Sequence, residues 1–257
     1  MTTASLFFGI VLAVAAVFVA AVVKSSGSAL RADRSGAAVL VLVLVFWLAV
    51  PGILAAAGLL DRYAPVPPPG FILFTLLTAG TVILALSPLG TRLVASVPMA
   101  ALVGYQVFRV PLELVLHRLY SEGLVPVEMT YSGRNFDILT GASAAALALW
   151  LLAGRRGRSL VIAWNMAGLA LLANIVAIAL LSTPVPFRYF TSGPANLLPS
   201  TFPYVWLPTF LVQAALFGHV LVFRALRRTQ PAAAWSTAVR GSGAGARTQL
   251  PPADPGG

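Results

Sequence analysis

The chain has 257 residues, of which 59% are apolar and only 9% are charged, whereas about 25% of the residues of an ordinary soluble domain are charged. So few charged side chains cannot cover a soluble protein of this size, and the composition therefore excludes that class and predicts an integral membrane protein. The mean hydropathy of +0.90 points the same way. The absence of cysteine excludes disulfides and thiolate sites, and two histidines exclude a three-imidazole metal site.

Seven stretches of the chain are apolar and long enough to cross a bilayer, which takes about 20 helical residues. They lie at about 5–23, 37–60, 71–89, 94–119, 138–153, 159–181 and 204–223. The sequence therefore predicts an all-α membrane protein, with a bundle of about seven transmembrane helices over residues 1–228 and the first span retained as an anchor. A six-span alternative, with the fourth or fifth segment re-entrant, stays open.

The basic residues predict the orientation, because the loops richer in Lys and Arg are cytoplasmic in membrane proteins. With the amino terminus outside, twelve of the seventeen basic residues fall on the inner side. We therefore expect an N-out, C-in protein of the cell (inner) membrane. A bacterial source is suggested by sixteen arginines beside the single lysine, Lys24. Residues 229–257 are rich in Ala, Gly, Pro, Ser and Thr and are predicted to be a disordered cytoplasmic tail.

The fourth span carries three ionisable residues, which are costly to place inside a bilayer. Arg109, Glu113 and His117 follow one another at intervals of four residues, which places them on one stripe of a helix. Pro111 cannot donate to the carbonyl of Val107, and this predicts a kink beside the charges. Two interpretations stay open: a structural ion pair between Arg109 and Glu113, or the wall of a polar cavity.

The loop after this span, residues 121–137, alternates apolar and polar side chains and contains a turn signal at Ser132-Gly133. We expect a short hairpin folded against the outer end of the bundle. For Asp137, capping of the fifth helix is favoured over catalysis. Further members of the polar site are expected from this loop: Glu128, Arg134 and Asn135.

A second outer loop, at about 182–203, contains five prolines and three aromatic residues around Arg188. This composition suits a membrane interface, where aromatic rings anchor a chain and arginine extends its charge to water. The alternative is a lid over the polar site, in which Arg188 is available to an anion or to Glu128.

Three runs resemble those of uncharacterised multi-pass membrane proteins found in many bacteria. They are Arg109–His117, Gly133–Gly141, and Phe202–Pro208 leading into Gly218-His219. The resemblance covers about 104–141 and 184–224. It implies a natural bacterial membrane protein and brings no activity with it.

The leading functional hypothesis is an outward-facing polar pocket that binds or moves a small polar or anionic solute, or protons. Arg109 and Arg134 would hold an anion, and Glu113 with His117 would relay a proton. The alternatives are a membrane-embedded enzyme acting on a lipid-linked substrate, and a scaffold or assembly factor without a ligand. The expected ligand-binding residues are Arg109, Glu113, His117, Glu128, Arg134, Asn135 and Arg188.

The expected partners are the lipid bilayer and this small ligand, with no nucleic acid, metal or cofactor. A zinc site from Glu113, His117 and Glu128 is conceivable, but no motif supports it. His219 lies on an apolar span and is interpreted as a polar contact between helices, and Asn165 likewise as a packing hydrogen bond.

Overall fold

The computed structural model describes residues 1–26, 34–64 and 67–228, with side chains described in the second helix from residue 41 onwards. Over these residues the regular structure is entirely helical. The predicted tail at 229–257 lies outside the described residues.

The helices follow the chain as α1 (Thr3–Ser25), α2 (Arg34–Ala56), α3 (Pro69–Leu86), α4 (Pro88–Ser96), α5 (Met99–Gly104), α6 (Arg109–Ser121), α7 (Ile138–Leu152), α8 (Arg158–Leu181) and α9 (Val212–Arg228). A 3-10 turn at Tyr105–Phe108 joins α5 to α6, where Pro111 predicts an irregularity. A π-helical turn at Leu207–Leu211 leads into α9.

Five helical segments of the described chain are long and apolar enough to cross a membrane. They are Thr3–Ser25, Pro69–Leu86, Met99–Ser121, Arg158–Leu181 and Leu207–Arg228. Two shorter apolar helices, Val41–Ala56 and Ile138–Leu152, occupy the positions of the second and fifth predicted spans. The predicted start of the fourth span near residue 94 is wrong, because α4 is a separate helix and α5 begins only after Pro98.

The break between α3 and α4 lies at Ser87, whose backbone is extended and whose hydroxyl accepts the Leu89 N–H at 3.2 Å. Arg224 of α9 donates to the carbonyl oxygens of Ala85 and Ser87 and, at 2.6 Å, to the hydroxyl of Thr91. These bonds take up carbonyl groups that the broken helix leaves without partners. Arg224 therefore fastens the α3–α4 corner to α9.

The π-helical turn makes a second junction, between α2 and the start of α9. The indole N–H of Trp47 donates to the carbonyl of Thr209 at 2.9 Å, and that of Trp206 donates to the carbonyl of Leu48 at 2.8 Å. Gln213 donates to the carbonyl of Pro208 at 3.0 Å. Side-chain hydrogen bonds therefore fasten the π-helical turn to α2 and to the first turn of α9.

The helix α9 is the central element, and it packs against α3, α4, α5 and α8. We call the end of the bundle that carries the loops 57–68, 122–137 and 182–206 the loop end. The five described acidic residues lie in this half. We call the opposite end the basic end, defined by Lys24, Arg92, Arg155, Arg156, Arg158, Arg227 and Arg228.

Candidate functional site

An arginine is buried inside the loop-end half of the bundle. Arg109, the first residue of α6, is 1% exposed. Its Nη1 lies 3.0 Å from Oδ1 of Asp137, which immediately precedes α7, and 3.4 Å from the carbonyl oxygen of Gly168 in α8. One guanidinium thus connects α6, α7 and α8.

The buried carboxylate of Glu113 lies one helical turn further along α6 and has a different partner. The side-chain N–H2 of Asn135 donates to both Glu113 oxygens at 2.7 Å and to the carbonyl of Met129 at 3.0 Å. The Asn135 Oδ1 accepts the backbone N–H of Asp137 at 3.1 Å. Asn135 therefore folds the loop 122–137 back onto α6.

These contacts correct two interpretations of the sequence. Arg109 forms its ion pair with Asp137 rather than with Glu113, because the amide of Asn135 occupies the Glu113 carboxylate. The expected capping by the Asp137 side chain is wrong, since its carboxylate turns towards Arg109 and makes no cap hydrogen bond to α7. Asp137 thus joins the charged cluster that the spacing of the stripe alone does not reveal.

His117 lies at the end of the stripe and is only half-buried. Its ring stacks on that of Tyr131, with centroids 4.5 Å apart and planes 22° apart, and its Nδ1 lies 3.4 Å from the Ser132 hydroxyl. The stripe therefore supplies two buried charges and one imidazole that holds the following loop.

The loops 122–137 and 182–206 at the loop end meet at Glu128, one of the remaining predicted site residues. The Ser192 hydroxyl donates to Glu128 at 2.6 Å. Arg188 donates to the carbonyls of Phe190 and Gly193 at 2.8 and 2.7 Å. These hydrogen bonds lie within its own loop and do not involve Glu128.

Arg134 extends the contact between the same loops, since its guanidinium carbon lies 5.6 Å from the centre of the Phe190 ring. The expected hairpin is wrong: residues 122–137 form a 3-10 turn at Val127–Met129 followed by further turns. The two loops cover the loop end as one unit, and Arg134, Arg188 and Glu128 lie in this cover.

A cavity of about 70 Å³ lies beside the buried charges. Its wall is mostly apolar and comes from α3, α6, α8 and the π-helical turn, with side chains that include Phe71, Leu112, Leu172, Ile175 and Leu211. The charged residues in this wall are Arg109, Glu113 and Asp137. A void of about 10–15 Å³ is enough for one water molecule, so the cavity has room for several waters or one carboxylate-sized group.

The Arg109 guanidinium is not saturated. Its Nε and Nη2 atoms are buried and have no hydrogen-bond partner among the residues that the structure describes. These two atoms form the side of the guanidinium that binds a carboxylate through two parallel hydrogen bonds. A buried, unpartnered fork of this kind is costly to keep, and buried donors are normally paired.

A family model matches residues 67–227, from just before α3 to the last turn of α9, which is more than half of the chain. The chain belongs to the family described as domain of unknown function DUF8737. The DUF8737 region contains the whole cluster of Arg109, Glu113, Asn135 and Asp137, whereas α1 and α2 precede it. No curated protein matches the chain, and no solved structure does.

Within the DUF8737 region, His219 connects α9 to α8 as expected. Asn165 donates to the His219 carbonyl at 3.1 Å, which orients its amide so that Oδ1 lies 2.8 Å from Nδ1 of the ring. Nδ1 therefore carries the proton. Gly168 permits this close approach, because a Cβ there would lie 2.7 Å from the imidazole.

Sequence reasoning missed Gln106, which is completely buried and donates to the Ala215 carbonyl at 3.0 Å. It precedes Arg109 by three residues, so the same stripe spacing could have included it. The described residues hold no group of three or more His, Asp or Glu side chains placed to bind a metal ion, so Glu113, His117 and Glu128 do not assemble as one.

Proposed function

We propose that this DUF8737 protein is an integral membrane protein of about seven spans that binds a small anionic group beside Arg109. The helix lengths support the membrane assignment. So do large apolar side chains that are 65–69% exposed, which soluble monomers rarely gather over a wide surface: Leu42, Phe46, Ile83 and Leu149.

The observation that carries the binding proposal is the pair of unpartnered donors, Nε and Nη2, on Arg109, a residue that lines a mostly apolar cavity. An anion there completes the hydrogen bonds of the guanidinium, and Asp137 occupies only the Nη1 side. The mostly apolar wall of the cavity favours a carboxylate at the end of a larger apolar molecule over a whole polar solute. The apolar remainder would extend between α3 and α8, which both line the cavity.

The other expected ligand-binding residues have supporting roles in this proposal. Both oxygens of Glu113 are engaged by Asn135, so this carboxylate positions the loop rather than acting as a free base. His117, Glu128, Arg134 and Arg188 hold the loops over the site through the contacts described above. A membrane-embedded enzyme with Glu113 or His117 as its base is correspondingly disfavoured.

The binding proposal predicts that straight-chain monocarboxylates stabilise the purified protein in detergent. A ligand that binds only the folded chain raises the melting temperature, and longer apolar tails raise it further because they bury more surface. We expect stabilisation to increase from acetate to octanoate. Primary alcohols of the same lengths should have little effect, because they cannot accept two parallel hydrogen bonds from the guanidinium. The measurement is thermal unfolding at increasing ligand concentration.

Arg109→Lys is the decisive variant, because it keeps a positive charge for Asp137 and removes the two-donor fork. We expect octanoate to bind it about tenfold more weakly or worse. Arg134→Lys is the matched control, since it makes the same chemical change in the loop cover and should bind octanoate like the wild type. Equal stabilisation by carboxylates and alcohols, or undiminished binding by Arg109→Lys, would contradict the proposal.

A ligand-free scaffold is the second candidate function. The observation that favours it is the internal pairing of the loop residues, since Glu128, Arg134 and Arg188 all have partners within the chain. Failure of every carboxylate to stabilise the wild-type protein would leave this candidate in place.

The proposed orientation is N-out and C-in in the cell membrane, and it predicts a labelling pattern. The chain contains no cysteine, so single cysteines can be introduced at exposed serines. Ser132→Cys and Ser192→Cys, both at the loop end, should react with a membrane-impermeant thiol reagent in intact cells. Ser159→Cys, at the basic end, should react only after the cells are opened. Reaction at residue 159 alone in intact cells would reverse the orientation.

A further inference from the structure

A second cavity, of about 570 Å³, lies away from the Arg109 fork. It is a groove in which α1 forms one wall and the segment from Leu93 to Phe108 forms the opposite wall. Its floor comes from α9, through Phe217, Gly218 and Leu221. We call it the α1 groove. One of its walls therefore lies outside the DUF8737 region.

The α1 wall is a stripe of small apolar residues that ends at a positive charge. Ala13, Val17, Ala20 and Lys24 line the groove and follow one another at intervals of four, three and four residues. This spacing keeps them on one face of the helix. Lys24 is exposed, is the only lysine of the chain, and forms no ion pair with a described residue.

The dimensions of the groove suit one leaflet of a bilayer. Eleven residues separate Ala13 from Lys24, which corresponds to about 16 Å of helix. The hydrocarbon of a bilayer is about 30 Å thick, so each leaflet contributes about 15 Å. Packing of α1 against α4 and α6 bounds the groove, and the Phe18 and Phe217 rings meet edge to face at its side, 5.7 Å apart.

We propose that the α1 groove binds one acyl chain of an anionic phospholipid, with the lipid phosphate at Lys24. The apolar walls exclude a polar occupant, and the ammonium group at one end complements an anionic headgroup at the membrane surface. The proposal rests on the membrane location proposed above and is independent of the Arg109 site. A failure of carboxylate binding at Arg109 therefore leaves it unaffected.

The single lysine makes the proposal directly measurable. The purified full-length chain in non-ionic detergent is treated with an amine-acetylating reagent, and acetylation of Lys24 is followed by mass spectrometry, with the amino terminus as internal reference. Dioleoylphosphatidylglycerol should slow acetylation of Lys24 severalfold, because the bound phosphate covers the ammonium group. Glycerol phosphate at the same concentration, which has the charge and no acyl chain, should not protect it.

Two substitutions on the same exposed side of α1 separate binding in the groove from general attraction to lipid. Ala20→Trp fills the groove and should abolish the protection by the lipid. Ala16→Trp is the matched control, because Ala16 is exposed but does not line the groove, and it should be protected like the wild type. Ala101→Trp fills the groove from the opposite wall and repeats the test on another helix.

Protection that disappears in the groove-filling variants and persists in Ala16→Trp establishes the proposal. Three results overturn it: no protection of the wild type by the lipid, equal protection by glycerol phosphate, or undiminished protection in both groove-filling variants.

Discussion

Asp137→Ala is expected to lower the free energy of unfolding by about 3–5 kcal/mol, because it leaves the buried Arg109 charge without its ionic partner. Arg109 would keep only its long hydrogen bond to the Gly168 carbonyl, at 3.4 Å. The measurement is denaturant or thermal unfolding of the purified chain in detergent. A loss this large would place Asp137 among the residues on which the folded bundle depends.

The control for this prediction replaces both charges. Arg109→Met with Asp137→Leu removes the pair together, and buried pairs replaced by apolar residues of similar volume are often tolerated. We expect the double variant to be clearly more stable than Asp137→Ala and to lose carboxylate binding. If Asp137→Ala unfolds like the wild type, Arg109 has another partner for its charge and the assignment of the pair is wrong.

Asn135→Ala is expected to lower the free energy of unfolding by about 3 kcal/mol or more. The substitution leaves the Glu113 carboxylate, the Met129 carbonyl and the Asp137 N–H without the partner that now serves all three. Each buried polar group left unsatisfied costs about 1–3 kcal/mol. Unfolding of the purified protein measures the loss, and proteolysis of the loop 122–137 should become faster in parallel.

Two further variants test the reason for this loss. Glu113→Leu in the Asn135→Ala background removes the stranded carboxylate, so the double variant should be less destabilised than the sum of the two single variants. Asn174→Ala is the matched asparagine control, because the Asn174 amide donates to the Arg134 carbonyl at 2.9 Å and to no other described residue. This variant should lower the free energy of unfolding by about 1 kcal/mol. Additive losses for Glu113 and Asn135 would mean that they do not act together.

The positions of the long helices could be predicted from the sequence because hydropathy is a local property. The spacing also predicted that Arg109 and Glu113 share one stripe of the helix, and both are 1% exposed. The pairing of Arg109 with Asp137 could not be predicted in this way, since a loop and 28 residues separate them in the chain. Their contact depends on how Asn135 folds that loop, which is a tertiary effect.

The boundary between α3 and α4 has a sequence signal that is lost when hydropathy is averaged over a window of residues. Ser87-Pro88 is a helix-start pattern, since serine caps and proline suits the first turn. The residues on both sides are apolar enough for one continuous span to be predicted from 71 to 89. The break is stabilised by Arg224, which lies in a helix more than 130 residues further along the chain. The hydropathy of the segment itself therefore cannot reveal this contact.

The π-helical turn at Leu207–Leu211 has a geometric consequence for the whole of α9. A π-turn holds one residue more than the same length of α-helix, and one residue corresponds to a rotation of about 100°. The side chains before the turn and those after it are therefore phased differently around the helix axis. Leu207 and Leu211 of the turn line the cavity, and beyond the turn Gln213 meets Thr78 of α3 and His219 meets Asn165 of α8. One extra residue thus rotates the side chains of α9 by more than a quarter of a turn relative to those that precede the π-helical turn.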